Sequence, residues 1–359
     1  MSGRGRAALS VLRALPRAMA SAAADGARAG ASGLRRIQLA GEAWLLDSKK
    51  ALYGLAVTRI IFGLTGLGLL LSNFATRLYT FGSGSAWNGE ASDPVSAFPS
   101  IWLFSSFHSV MLDDVAFTLL YLVLMVLAVL VTLGWRFNLV LPVYLVLWVS
   151  FIEVNDAVGD QGDNMYRIAL FFLLFADPAA RWSLDAGRRA RAGWRTVLPT
   201  PISNALHNLT LVVLTAQVSF VYVSGALYKA GGDPWSGGYA VYNPLMTERF
   251  GTWPVLSDLA TAWGPAVTAF TWGSIILQLC FPMMLLTRPT RIVALLGIMS
   301  FHVGIAVLMG LPWFSLAMIA LDFIFVRDRT WRRLASSASA RLRAARAESA
   351  GRRGGGAIA

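Results

Sequence analysis

The stretch VAFTLLYLVLMVLAVLVTL, residues 115–133, runs without a single charge. As a helix it is long enough to cross the roughly 30 Å hydrocarbon core of a bilayer, which takes about 20 residues. In such a core every backbone N–H and C=O must be satisfied within the segment, so the run predicts an α-helix. Further runs of this kind lie near 52–72 (LYGLAVTRIIFGLTGLGLLLS), 137–153 (FNLVLPVYLVLWVSFIE), 205–228 (ALHNLTLVVLTAQVSFVYVSGALY), 265–286, 291–310 and 312–326, with a shorter one at 164–176 (NMYRIALFFLLFA). With 56% hydrophobic residues, 14% charged residues and a mean hydropathy of +0.58, the whole chain lies outside the balance of a soluble domain. It reads as an all-α, polytopic integral membrane protein.

Charge orders these segments. Lys and Arg concentrate in short cytoplasmic connections. Nine precede the first run, from Arg4 to Lys50, and nine follow Val326. Between them, Arg136, then Arg181, Arg188, Arg189, Arg191 and Arg195, then Arg288 and Arg291 mark every second connection. The alternate connections carry Glu90, Asp93, Asp113 and Asp114, then Asp156, Asp160 and Asp163, then Asp233, Glu248 and Asp258. An even number of spans that includes the short 164–176 segment satisfies the alternation, which predicts eight transmembrane helices with both termini cytoplasmic. Residues 1–50 then form a basic cytoplasmic segment, 51–328 the membrane domain, and 329–359 a basic, disordered tail near anionic lipid headgroups.

The formal charge of +12 sits at the two ends and in these connections rather than on one face, which excludes a nucleic-acid partner and leaves membrane lipid as the basic residues' surroundings. Cys280 is the sole cysteine and His108, His207 and His302 lie far apart, so neither a disulfide nor a metal site is expected.

Ionisable residues inside spans are costly and face a bundle interior or a cavity. Arg59, in VTRIIFG, is placed either to snorkel to the inner interface or to face inward. Arg167 follows Asp160, Asp163 and Asn164, so an ion pair with one of those aspartates is expected, and the same pairing can shape a pocket. Glu153 and Asp156 read as solvated helix ends. His302, in SFHVGIAVLMGLPWF, falls mid-helix, either as a hydrogen-bonded interior histidine or as a catalytic one. Asp322, in ALDFIFV, is expected to pair with Arg327.

SGALYKAGGDPWSGG, residues 224–238, concentrates the chemistry. Lys229 stands at the outer end of the fifth helix beside Tyr228 and Trp235, the pattern of an aromatic belt with a snorkelling cation. The glycine cluster adds what anchoring does not require, since glycine permits positive φ and close backbone approach. A lysine desolvated by such a turn becomes a base.

Together, ALYGLAVTRIIFGL, LVTLGWRFNLVLPVYLVLWVSF, LFADPAARWSLDAG, SGALYKAGGDPWSGG and SFHVGIAVLMGLPWFSLAMI, in that order over about residues 50–328, resemble the horizontally transferred transmembrane (HTTM) domain. This family includes the vitamin K-dependent gamma-carboxylases and bacterial proteins similar to sporulation-delaying protein B. The resemblance implies that Lys229 matches the carboxylase lysine that deprotonates a reduced quinone of the vitamin K or menaquinone type, and Trp235 the tryptophan that follows it. It implies an outer-leaflet cavity lined by helices four, five and seven, with Tyr228, Asp163, Asn164, Arg167 and His302 around the cofactor, and a place in the bacterial inner (cytoplasmic) membrane.

This sequence departs from the carboxylases in three places. Tyr228 stands where they have a second lysine. The loop GDQGDNMYR has no histidine, the matching place being near Gly162, beside Asp163. The chain ends in a basic tail instead of a large C-terminal lumenal domain. The expected function is therefore quinol-dependent chemistry, of the lyase type in the carboxylases, acting on an exported peptide. One alternative is a non-catalytic maturation helper for such a peptide, joined by a small partner subunit. Another is a transporter with broken helices at GSIILQLCFPMM and GLPWF.

Overall fold

The computed structural model describes residue 30 and residues 32–192 and 198–355, the side chains of 88, 192 and 342–355 excepted. Among the described residues there is no strand. The main helices are α1 (Leu52–Ser72), α2 (Asp114–Leu133), α3 (Phe137–Ile152), α4 (Gln161–Leu173), α5 (Thr200–Ala230), α6 (Gly264–Met284), α7 (Arg288–Leu308) and α8 (Pro312–Asp322). Each forms where an apolar run predicts it. Five of them, α1, α2, α5, α6 and α7, are long and apolar enough to cross a membrane. At about 1.5 Å per residue the others fall short of a full crossing.

Two contact units divide the chain, one of residues 1–49 with 196–205 and one of residues 50–195 with 206–359. The smaller contains a helical segment at 32–46, and Asn204 Nδ2 donates to the Leu46 carbonyl at 2.8 Å. Most of the expected 1–50 segment otherwise lies outside the described residues. Every feature below belongs to the larger unit.

Within it α1 is the hub, packed along α2 and α8, while α8 also contacts α4 and α7, and α6 packs on α7. Small residues allow this approach, as membrane helices require: a Cβ on Gly63 would come 2.2 Å from Thr132 Oγ1, and one on Gly66 2.0 Å from the Tyr144 hydroxyl. Aromatic rings fill the space between α3 and the 73–113 connection, where Phe151 meets Phe81 and Phe107 with ring centres 4.5 and 5.3 Å apart.

Arg59 does not snorkel. It is fully buried, and its guanidinium donates to the carbonyls of Val131, Thr132, Pro178 and Trp182, fastening α1 to the end of α2 and to the segment after α4. Several N–H donors in one rigid plane match carbonyls that a lysine could not reach together. Asp185, in the same LFADPAARWSLDAG stretch, accepts from the backbone N–H of Arg136 and Phe137 at 2.9 and 2.8 Å and caps α3. These residues hold the fold together.

The expected disordered tail is helical instead: Asp328–Gly355 forms one helix. Alanine and arginine are strong helix formers, and the segment is rich in both. Its start is fixed by Asp328, whose carboxylate accepts from Leu52 and Tyr53 N–H at 3.2 and 3.1 Å, satisfying donors that open α1.

Candidate functional site

After Ala230 the chain turns back through the short helix Asp233–Ser236, with Pro234 in its first turn. Gly238 then adopts φ +78°, and a Cβ there would come 3.0 Å from Thr268 Cγ2, so this position of the cluster requires glycine. The turn sends residues 235–245 against α6 and α7 and closes a cavity of about 710 Å³. Its wall comprises Trp235, Ala240, Val241, Pro244 and Leu245 from the connection, Ala269, Phe270, Gly273, Ser274 and Leu277 from α6, and Gly297, Ser300, Phe301, Gly304, Ile305, Leu308 and Met309 from α7 and its end. Gly273 and Gly304 have nothing within 4 Å of where a Cβ would stand. Their missing side chains are part of the open volume.

Lys229 is the charged residue on this wall. Its Nζ donates to Gln278 Oε1 at 2.7 Å and lies 4.9 Å from the centre of the Trp235 ring and 5.1 Å from that of Phe301. Gln278 is fourteen residues into α6, about 21 Å along its axis. The amine therefore sits between helices, and the snorkelling alternative does not describe it. A cation between two ring faces and an amide oxygen is held by quadrupole and dipole in place of an ion pair. Asp233, near in sequence, is exposed and has no hydrogen bond to Lys229.

The other expected site residues fall elsewhere. Tyr228 is 86% exposed and does not line the cavity. His302 is buried directly behind Phe301, with ring centres 5.3 Å apart, and hydrogen-bonds the Tyr222 hydroxyl through Nε2 at 3.2 Å. The α4 residues are not on the wall. Asp160 and Asp163 form a reciprocal cap: Asp160 Oδ1 accepts from Gly162 and Asp163 N–H at 2.6 and 3.2 Å, and Asp163 Oδ2 accepts from Asp160 N–H at 3.0 Å. Partial desolvation raises the Asp160 carboxyl, on a residue that stays exposed on one side, above its ordinary range, against the lowering effect of those two N–H groups. Asn164 Oδ1 accepts from Arg167 Nε at 3.1 Å.

Arg167 pairs with Glu153, not with an aspartate, and lies over the Phe98 ring with its guanidinium carbon 5.0 Å from the ring centre. The aspartates are unavailable because they cap their own helix. Glu153, expected to be solvated, is buried and also accepts from Ser96 Oγ. Asp322 accepts from the Tyr222 hydroxyl, at 3.2 Å to Oδ1 and 3.0 Å to Oδ2, in place of the expected contact with Arg327. The cavity is thus built by α5, α6 and α7, where helices four, five and seven were expected. Gln278 and Tyr222 carry no sequence signal beyond being polar residues in apolar runs.

The HTTM domain family model matches residues 48–331 of this chain. No curated protein and no solved structure matches it.

Proposed function

The chain belongs to the HTTM domain family, which includes vitamin K-dependent carboxylase-like membrane proteins, and on that premise we propose that Lys229 is the general base of a carboxylase-like reaction on a lipid-soluble quinol held in the α5–α7 cavity. One observation carries this reading: a single amine, fixed by Gln278 at 2.7 Å, faces a cavity of about 710 Å³ whose wall is apolar and aromatic apart from Ser274 and Ser300. That is the size and character of a small-molecule site.

The residues fit such a group. Trp235, Phe270 and Phe301 offer ring faces to an aromatic headgroup, and the apolar wall along Ile305 and Leu308 suits an isoprenoid chain. A reduced quinone bound there supplies a phenolic proton and, with dioxygen as oxidant, two electrons. Lys229 takes that proton in its unprotonated form, and general-base catalysis needs it within hydrogen-bond reach of the oxygen. Gln278 orients the amine by accepting one of its N–H bonds, and the Trp235 and Phe301 faces stabilise the ammonium that results.

In this proposal α3, α4 and α8, too short to cross alone, complete their passes with the turns that flank them, so that the chain spans the bacterial cytoplasmic membrane eight times with both termini inside, and the cavity serves the outer leaflet, where an exported peptide is the acceptor. The test uses wild type and Lys229→Ala in nanodiscs with a reduced menaquinone analogue. Oxygen is then admitted, and quinol loss and epoxide formation are followed by mass spectrometry. Turnover that needs Lys229 is the expected result, and absence of turnover in wild type sinks it.

A second reading is a non-catalytic maturation helper for a secreted peptide, with a small partner subunit docking on the acidic connections. It is favoured by the α4 end, where Asp160, Asp163, Asn164 and Arg167 serve caps and an ion pair and leave Lys229 without assistance from that loop.

A further inference from the structure

Tyr222 of α5, His302 of α7 and Asp322 of α8 meet behind the cavity, with 1%, 2% and 0% of their surfaces exposed. The Tyr222 hydroxyl has one proton, and when Asp322 is ionised it donates that proton to the carboxylate at 3.0–3.2 Å. Its 3.2 Å contact with His302 must then be donated by Nε2–H. In that state the neutral ring is the Nε2–H tautomer, with Nδ1 as a lone-pair acceptor. Nδ1 is buried and has no hydrogen-bond partner. An unused acceptor of this kind inside a membrane bundle is costly.

Only the Phe301 ring stands between the imidazole and the cavity amine, Lys229 Nζ lying on one side of it and His302 against it. Tyr222 precedes Lys229 by seven residues, two helical turns, so both side chains leave the same face of α5. His302 packs on Phe301, whose ring centre is 5.1 Å from Lys229 Nζ. The neighbouring α6 contributes Phe281 and Gln278, neither of them ionisable. Lys229, Tyr222, His302 and Asp322 are therefore the titratable groups facing one another here.

We infer that His302, Tyr222 and Asp322 form a proton relay that carries the proton taken up by Lys229 toward the end of α8. The inference rests on the reading of Lys229 as a base. His302 Nδ1 accepts a proton from the Lys229 ammonium through water in the cavity, there being no direct hydrogen bond between the two. Nε2 gives its proton to the Tyr222 oxygen as that hydroxyl passes its own to Asp322. An N–H bond forms at Nδ1 and one breaks at Nε2, the hydroxyl exchanges one proton for another, and an O–H bond forms on Asp322. Lys229 is left neutral, the imidazole is left as its other tautomer, and the proton rests where α8 gives way to the turn Phe323–Phe325. The competing account is a polar knot that merely ties α5, α7 and α8 together.

The full chain in nanodiscs, labelled with ¹⁵N-histidine, separates these accounts without any quinol. His302 is assigned by the signal lost in His302→Gln. The relay predicts the Nε2–H tautomer at high pH and its conversion to Nδ1–H as the pH falls through the titration of Lys229, a conversion abolished in Lys229→Met and in Tyr222→Phe. A tautomer that stays fixed over the range, or a ring that simply becomes doubly protonated, overturns the relay. With quinol and oxygen present, Asp322→Asn is expected to bind quinol as wild type does and complete its first turnover. It then slows about tenfold or more in steady state, because Lys229 keeps its proton.

Should that variant fail to fold, Tyr222→Phe keeps the ring against Phe281, 4.9 Å away, and removes only the hydroxyl. A wild type that turns over alongside variants with an unchanged steady rate defeats the relay and leaves the base intact. A wild type without turnover defeats the base, and the tautomer measurement then decides the relay alone.

Discussion

Lys229 Nζ and Gln278 Oε1 lie 2.7 Å apart, joining the end of α5 to α6 across 49 residues of sequence. Each is the other's polar partner in apolar surroundings, so removing one strands the other. Gln278→Leu is expected to cost about 1–3 kcal/mol of stability, the penalty for a buried donor left unmade. Adding Lys229→Met should return most of that loss, because neither polar group then remains. Thermal melts of the two single variants and the double variant in nanodiscs measure the cycle, and additive losses would show that the contact does not couple them.

Gly304 opens onto the cavity with nothing within 4 Å of its missing Cβ. Gly304→Ala should therefore leave stability within about 0.5 kcal/mol of wild type, glycine being the weaker helix former. Gly304→Leu should fill part of the cavity and weaken binding of a menaquinone analogue about tenfold or more, equivalent to roughly 1.4 kcal/mol. Tryptophan quenching by the analogue reads both variants, and unchanged binding in Gly304→Leu would place the ligand elsewhere.

Arg59 holds four carbonyls from two segments. Arg59→Met leaves all of them without that donor, and the expected loss is about 3 kcal/mol or more, seen as reduced folded yield and melting temperature. Arg59→Lys should be nearly as damaging because an ammonium lacks the planar fork. Wild-type stability in Arg59→Lys would mean that charge alone matters there.

Asp160 is the N-cap of α4, and Asp160→Ala is expected to cost about 1 kcal/mol. Partial desolvation raises its folded-state ionisation above the unfolded one, so the folded state binds the extra proton. Wild type then loses stability as the pH rises from the ordinary carboxylate value through the raised one. Asp160→Asn keeps an acceptor oxygen and does not ionise. Its stability relative to wild type should increase across that window and be flat below it, as followed by melting at a series of pH values.

The helices were legible because each apolar run carries its own boundary: hydrocarbon length, a charge, a Gly or a Pro at the end. Runs expected at 52–72 and 137–153 became Leu52–Ser72 and Phe137–Ile152. The α4 residues Asp163, Asn164 and Arg167 read as pocket residues because polar side chains at the start of a span suit either role. The reciprocal cap of Asp160 and Asp163 takes up the first, and Glu153, brought alongside by the turn after α3, takes Arg167.

Lys229 and Trp235 were legible as a pair because they are six residues apart and the turn between them is local. Gln278, Phe301 and the opening at Gly273 and Gly304 were not, since they come from helices whose rotation about their axes the apolar pattern leaves open: inside a bilayer both the lipid face and the packed face are hydrophobic. By itself the sequence determined that this chain is a helical membrane protein, where its helices lie and which lysine to examine, since those follow from length, polarity and local turns. Tertiary packing decided that the lysine faces a cavity of α5, α6 and α7, and that Tyr222, His302 and Asp322 meet behind it. Contacts between distant segments depend on how helices rotate and cross, and that is fixed by side chains fitting one another in three dimensions.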